Sequence, residues 1–167
     1  MKRTLIIVIS LLIGFMNMAQ EKQTRRELRR IEQERVALQV DSILKSNNYT
    51  FTARSANPLG WSTIHISPNY TLSVDSGQLN CHLPYFGRAY RANLSSSQGG
   101  IILDTKLTDY SIISKKKETQ INFKASDTND SYRFTLKVST SGNATLTINS
   151  NNRQGISYNG VISGKGR

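Results

Sequence analysis

Length, composition and charge restrict the class of protein. At 167 residues, with 37% hydrophobic and 20% charged residues, the chain has room for one ordinary domain and enough apolar residues for a core, which argues against wholesale disorder. The formal net charge of +11 favours acidic partners such as phospholipid headgroups, lipopolysaccharide or acidic glycans, and it equally favours solubility. The single cysteine, Cys81, excludes an internal disulfide.

The first segment of the chain has the pattern of a signal peptide. Lys2 and Arg3 precede an apolar run over residues 5–15, and Ala19 is a small residue suited to a signal peptidase. We therefore predict that residues 1–19 are removed on export to the periplasm or cell envelope; the alternative is a retained anchor helix. No cysteine lies near the cleavage region, so we expect neither a lipoprotein anchor nor a transmembrane span after cleavage.

A basic helix is predicted next, over residues 20–47. The stretch 21–46 contains no Gly or Pro and is rich in Glu, Arg, Gln and Leu. Its first half interleaves acidic and basic residues, which favours a solvated helix with ion pairs over a basic arm for an anionic surface. Its second half carries an apolar stripe that we expect to pack on the following domain: Val36, Val40, Ile43 and Leu44.

From residue 48 to residue 167 the hydrophobic period is two, which is typical of β-strands. Turn-forming residues separate the short strands and no βαβ pattern appears. We therefore predict a mainly β fold, an antiparallel meander forming a barrel-like or sandwich domain, behind one N-terminal α-helix. The alternating apolar positions are Tyr49, Phe51, Ala53; Ile64, Ile66; Tyr70, Leu72, Val74; Leu79, Cys81, Leu83; Ile121, Phe123; Tyr132, Phe134, Leu136, Val138; Ala144, Leu146, Ile148; Ile156, Tyr158, Gly160, Ile162.

One run of residues carries a resemblance to a known family. The segment from Leu83 to Tyr90, with the sequence Leu-Pro-Tyr-Phe-Gly-Arg-Ala-Tyr, resembles domain of unknown function 4251, a family of exported Bacteroidota proteins. Over roughly residues 28–163 further segments agree: Phe51 to Ala53, Asn57-Pro58, Gly99 to Ile101, Lys115 to Lys117, Tyr132 to Phe134, and Ile156 to Gly160. The resemblance implies a bacterial envelope location and a small β-rich fold, and it implies no activity, cofactor or catalytic residue.

Candidate catalytic and metal-binding residues are few. Cys81 and His82 are neighbours on a strand, so their side chains should point to opposite faces, and we expect Cys81 to be a buried, inert thiol. His65, His82 and Cys81 lack metal-ligand spacing. Asp127, Asn129 and Asp130 lack the glycine and distant glutamate of a calcium loop, so a solvated turn is favoured. We predict no metal site, cofactor or catalytic residue.

The candidate binding segment is Pro84 to Arg91. It combines aromatic rings that can cover an apolar or sugar-like body with guanidinium groups that can bind anions: Tyr85, Phe86, Arg88, Tyr90 and Arg91. The alternative is a structural corner whose aromatics cover one end of the core. Single-stranded nucleic-acid binders also interleave aromatic and basic residues, but an exported chain seldom meets that ligand.

These observations favour a non-enzymatic binding or structural module of the envelope, with an acidic or amphipathic ligand. The alternative is a small envelope hydrolase or other enzyme whose pocket has no recognisable motif. Lys115, Lys116 and Lys117 form the densest basic run, which we interpret as a solvated strand end.

Overall fold

The computed structural model describes residues 2–90, 100–128 and 130–164, with side chains described from residue 24 onward. Over these residues one helix precedes ten strands, which confirms the predicted mainly β fold. The helix α1 spans Lys2–Lys45, and the strands are β1 Asn48–Pro58, β2 Ile64–His65, β3 Thr71–Asp75, β4 Gln78–Pro84, β5 Gly100–Lys106, β6 Thr108–Ser114, β7 Glu118–Ser126, β8 Ser131–Ser139, β9 Asn143–Ser150 and β10 Ile156–Gly164.

The chain divides into two compact units, Met1–Val36 and Ala37–Arg167. In the first unit, the side chains described between residues 24 and 35 are exposed. An ion pair joins Arg35 Nη2 to Glu32 Oε1 at 2.7 Å, and the hydrogen bond from Arg35 lowers the pKa of Glu32. This pair is of the kind expected for a solvated helix. Within the described residues no helix is both long and apolar enough to cross a membrane.

The second unit is a nearly closed antiparallel sheet. Its strands follow the order β5-β4-β3-β1-β10-β9-β8-β7-β6, and β2 pairs with β1. The strands at the two ends of this order, β5 and β6, are consecutive in the chain and only Leu107 separates them. Because β5 pairs with β4 while β6 pairs with β7, the segment 100–114 links both ends of the sheet and gives it a barrel-like form.

The interior of the barrel is filled by the alternating side chains that the sequence predicts. Each predicted strand set except Ile64 and Ile66 contributes buried residues, whereas those two side chains are only half-buried. Cys81 is 1% exposed, as predicted. Burial raises the pKa of the Cys81 thiol far above its usual range, so the thiol is inert. The largest fully buried side chains are aromatic, and the rings of Phe123 and Phe134 stack with centroids 4.9 Å apart.

The strands β5 and β6 were not predicted from the sequence. Three consecutive apolar residues in β5, 101–103, and two in β6, 112–113, hide the alternation of inward and outward positions. In β5 the structure nevertheless buries Ile101 and Leu103 and leaves Ile102 50% exposed. The missed strands are therefore those that link the two ends of the sheet.

The last turns of α1 pack on one end of the barrel, as the apolar stripe predicts. Val40 and Leu44 are buried. A Cβ atom added at Gly142, in the β8–β9 turn, would lie 3.6 Å from Cγ2 of Val40. A Cβ atom at Gly164, where β10 ends, would lie 3.6 Å from Cγ1 of Ile43. The helix thus contacts the end of the barrel where β10 finishes and β9 begins.

Candidate binding surface at the loop end of the barrel

Three connections meet at the other end of the barrel. Pro58 at the end of β1 pairs with Ile156 at the start of β10, and Pro84 at the end of β4 pairs with Gly100. Ala89 forms an isolated bridge with Arg153 in the β9–β10 loop. We call this region the loop end; its described residues are 58–63, 84–90 and 151–155.

Hydrogen bonds fix the predicted binding segment to the β9–β10 loop. The Tyr85 hydroxyl lies 2.9 Å from the carbonyl oxygen of Arg88 and 3.0 Å from that of Gln154, and it can donate to either. The Gln154 N–H donates to the Arg88 carbonyl at 3.0 Å, and the Tyr90 N–H donates to the Asn152 carbonyl at 2.8 Å. The backbone of residues 85–90 is therefore held at several points.

Gly87 leaves space for the Tyr85 hydroxyl in this arrangement. A Cβ atom at Gly87 would lie 2.7 Å from the Tyr85 hydroxyl oxygen, closer than real Cβ atoms approach. A larger residue would push the Tyr85 hydroxyl away from its two carbonyl partners. The glycine in the Pro-Tyr-Phe-Gly-Arg motif thus has a packing role.

The predicted site residues divide into inward and outward groups. Tyr85 and Phe86 are half-buried, whereas Arg88 is exposed and Tyr90 is 68% exposed. Within the described residues the Arg88 guanidinium has no ion pair, so it is available for an anion. Arg91, also predicted, lies outside the described residues.

Arg153 is a site residue that the sequence analysis missed. Its guanidinium carbon lies 5.3 Å from the centre of the Tyr85 ring, within cation–π range, and its Nη1 donates to the Gly100 carbonyl at 2.9 Å. Burial raises the pKa of Tyr85, while the positive charge of Arg153 acts in the opposite direction. Tyr85 therefore stays protonated at neutral pH, as a hydrogen-bond donor must.

The buried carboxylate of Asp130 takes part in a hydrogen-bond network that supports the β9–β10 loop. Asp130 is 6% exposed and accepts hydrogen bonds from the Ser150 hydroxyl and, at 2.8 Å, from the Ser131 N–H. The Ser150 oxygen in turn accepts the N–H groups of Asn152 at 3.0 Å and Arg153 at 2.9 Å. The predicted solvated turn is therefore wrong for Asp130, since the carboxylate is buried and bonded; Asn129 lies outside the described residues.

Two further exposed apolar side chains lie at the loop end and were also missed. Gly60 has φ +81°, and the Trp61 N–H donates to the Pro58 carbonyl at 3.3 Å, as in a type II turn. The turn leaves Leu59 68% and Trp61 72% exposed. The Pro-x-Gly-Trp sequence was a signal for this turn, because glycine adopts the positive φ that the third turn position needs.

A polar groove lies elsewhere on the described chain. It measures about 630 Å³ and is lined mainly by polar side chains that include Arg54, Lys137, Thr145 and Asn159. None of the residues predicted to bind a ligand lines it. Its floor includes the buried Ala144 and Gly160, and it has no aromatic lining residue.

The loop end presents side chains that could contact a ligand. Aromatic faces and a guanidinium group lie exposed on a hydrogen-bonded backbone, a combination suited to an apolar body with an anionic group. Among the described residues no three His, Cys, Asp or Glu side chains come together to hold a metal ion. His82 is exposed while Cys81 is buried, so the two side chains lie on opposite faces of β4.

These features define a class: a small antiparallel barrel-like domain that packs against the last turns of α1 at one end and presents hydrogen-bonded loops with aromatic residues at the other. Residues 31–162 match the family described as "Domain of unknown function (DUF4251)", and the chain belongs to this family. The resemblance predicted from the sequence is thereby confirmed.

A solved structure has the same fold. The crystal structure of a DUF4251 family protein from Bacteroides eggerthii DSM 20697 is similar with a TM-score of 0.61 and 18% identity, covering 77% of this chain and 87% of that chain. At this identity the likeness concerns the fold alone. The comparison with curated proteins gave no significant match.

Proposed function

We propose that this chain is an exported, non-enzymatic binding module of the bacterial envelope and that the loop end holds its ligand. The proposal rests on two properties of the same segment: its side chains are exposed, and its backbone is held in place by hydrogen bonds. Arg88 and Tyr90 are exposed, although the backbone between them is hydrogen-bonded to residues 152–154. A preorganised surface binds with a smaller loss of conformational entropy than a mobile one.

The composition of this surface favours an amphipathic ligand with an acidic group. Leu59, Trp61 and Tyr90 offer apolar area, and Arg88 offers directional hydrogen bonds to a carboxylate or phosphate. The net charge is +11 for the full chain and 11 − 2 = +9 without Lys2 and Arg3, and it adds a long-range attraction for anions. Acidic lipids and acidic glycolipids of the envelope have this chemistry.

Export is part of the proposal and rests on the sequence of residues 1–19. Lys2, Arg3, the apolar run 5–15 and Ala19 favour cleavage near Ala19 and release into the periplasm. The intact mass of protein recovered from the periplasm tests this. A chain that begins close to residue 20 is expected, and a full-length, membrane-integral chain would contradict it.

The binding proposal is testable with the single tryptophan of the chain. Trp61 is 72% exposed at the loop end, so its emission should shift to the blue when a ligand covers it. Dodecyl phosphate serves as the acidic amphiphile and dodecyl maltoside as the neutral one. We expect saturable binding of the first below its micelle concentration and much weaker binding of the second.

Arg88→Ala should weaken dodecyl phosphate binding about tenfold, the value of one charge-assisted hydrogen bond. Lys106→Ala is the matched control, because Lys106 is also an exposed cation but lies at the end of β5 opposite to Gly100, where it pairs with Gln78. Equal affinity for both amphiphiles, or equal losses in both variants, would contradict a specific role for Arg88.

A further inference from the structure

The edge strand β6 is unusually exposed for a strand that forms part of a barrel. It is the last strand in the sheet order, with β7 as its only paired neighbour among the described residues. Each of its residues except Tyr110 is exposed, including Ile112 at 38% and Ile113 at 47%. Within the described residues no strand pairs with its other edge.

The pairing register shows which backbone groups lie at this free edge. Lys115 and Glu118 exchange both N–H···O bonds, at 2.8 and 3.4 Å. In an antiparallel pair, hydrogen-bonded and non-hydrogen-bonded positions alternate, so Ile113 bonds to β7 while Ile112 and Ser114 direct their N–H and C=O groups away from it. No backbone hydrogen bond outside the β6–β7 ladder involves these two residues within the described chain.

Three lysines lie next to the C-terminal end of β6. Lys115, Lys116 and Lys117 are exposed in the hairpin between β6 and β7, and within the described residues none has an ion-pair partner. The Asp41 carboxylate lines a small cavity together with Ser114 and Lys115, but it is already paired with Lys45 at 2.7 Å. Glu118 offsets one of the three charges, and the hairpin remains basic.

We propose that the free edge of β6 accepts an extended acidic peptide segment as an additional antiparallel strand. Main-chain hydrogen bonds to Ile112 and Ser114 would supply the pairing, as in other cases of strand addition. Because β6 runs toward the lysine hairpin, the N-terminal end of an antiparallel partner meets the lysines and should carry the acidic residues. A second copy of this chain is the less favourable occupant, since each copy is strongly basic, with a net charge of +11, or 11 − 2 = +9 without Lys2 and Arg3.

The test uses a fluorescent synthetic peptide with three glutamates followed by alternating threonine and valine. We expect saturable binding to the full chain that weakens as salt is raised. A peptide with the same sequence, N-methylated at alternate residues of its threonine–valine half, cannot donate those main-chain hydrogen bonds to β6 and should bind at least about tenfold more weakly. This comparison leaves the protein unaltered, so it does not depend on a variant that folds.

Two protein variants complete the test. The double change Lys116→Glu and Lys117→Glu should remove most of the salt-dependent affinity, and Ser114→Pro should remove a free-edge donor while leaving the β7 ladder intact. Equal binding of the methylated and unmethylated peptides would overturn the proposal. So would concentration-dependent self-association that Ser114→Pro abolishes, if the peptide did not bind, because β6 would then be an interface between copies.

Discussion

The hydroxyl of Ser150 connects the buried Asp130 to the loop that supports the binding surface, and Ser150→Ala removes this connection. The hydroxyl donates to the Asp130 carboxylate and accepts the N–H groups of Asn152 and Arg153. The substitution leaves these three groups to find water or remain unpaired. Alanine otherwise fits, since it is smaller than serine and β9 ends at this position.

The expected destabilisation follows from the three bonds. A hydrogen bond to a charged group contributes about 1.5–3 kcal/mol and each neutral bond about 0.5–1.5 kcal/mol. Ser150 is half-buried, so water replaces part of this loss. We therefore expect the free energy of unfolding to fall by about 2–4 kcal/mol.

Urea unfolding measures this change as a lower midpoint with an unchanged slope. Ser157→Ala is the matched control, because Ser157 is also half-buried on the sheet and has no side-chain hydrogen bond within the described residues. The control should change stability by less than about 0.5 kcal/mol. If Ser150→Ala behaved like the control, the Asp130–Ser150 network would not stabilise the loop.

Three further predictions concern the core and the helix. Cys81 should react with a thiol reagent only after unfolding, and rapid labelling of the native protein would contradict its burial. Val40→Ala should lower the free energy of unfolding by about 1–3 kcal/mol, whereas Leu38→Ala should change it by less than about 0.5 kcal/mol, because Leu38 is exposed. Thermal melts in which Leu38→Ala was the less stable variant would contradict the packing of α1. Above pH 10 the free energy of unfolding should fall. The pKa values of several tyrosines in the folded chain lie above the ordinary value of about 10, so the unfolded chain releases these phenolic protons first. Absorbance at 295 nm follows this ionisation, and a normal titration in the native state would contradict the raised pKa of Tyr49, Tyr85, Tyr110, Tyr132 and Tyr158.

The sequence predicted the buried face of most strands because period-two alternation is a local property of the chain. Leu79, Cys81 and Leu83 alternate with polar neighbours, and all three are buried. The alternation pattern did not identify β5 and β6, because apolar residues are adjacent at 101–103 and 112–113. Whether the sheet closes depends on these segments, so the choice between barrel and sandwich required the structure.

The candidate site was predictable only in part, because the sequence analysis depends on patterns that are local in the chain. The Tyr85 to Tyr90 segment stands out locally by its aromatic and basic residues. Arg153 and Gln154 come from the β9–β10 loop, more than sixty residues later, and nothing in their local sequence indicates that they contact this segment. Their role follows from the pairing of distant strands, which composition and periodicity do not reveal.

The most direct test of the proposed function is a map of ligand contacts on the ¹⁵N-labelled chain without residues 1–19, titrated with dodecyl phosphate. The account predicts that the largest amide shift changes occur in residues 59–61, 86–90 and 152–154. Shift changes centred on Arg54, Lys137 and Thr145 would place binding in the polar groove instead. Either that result or an unchanged spectrum would contradict binding at the loop end.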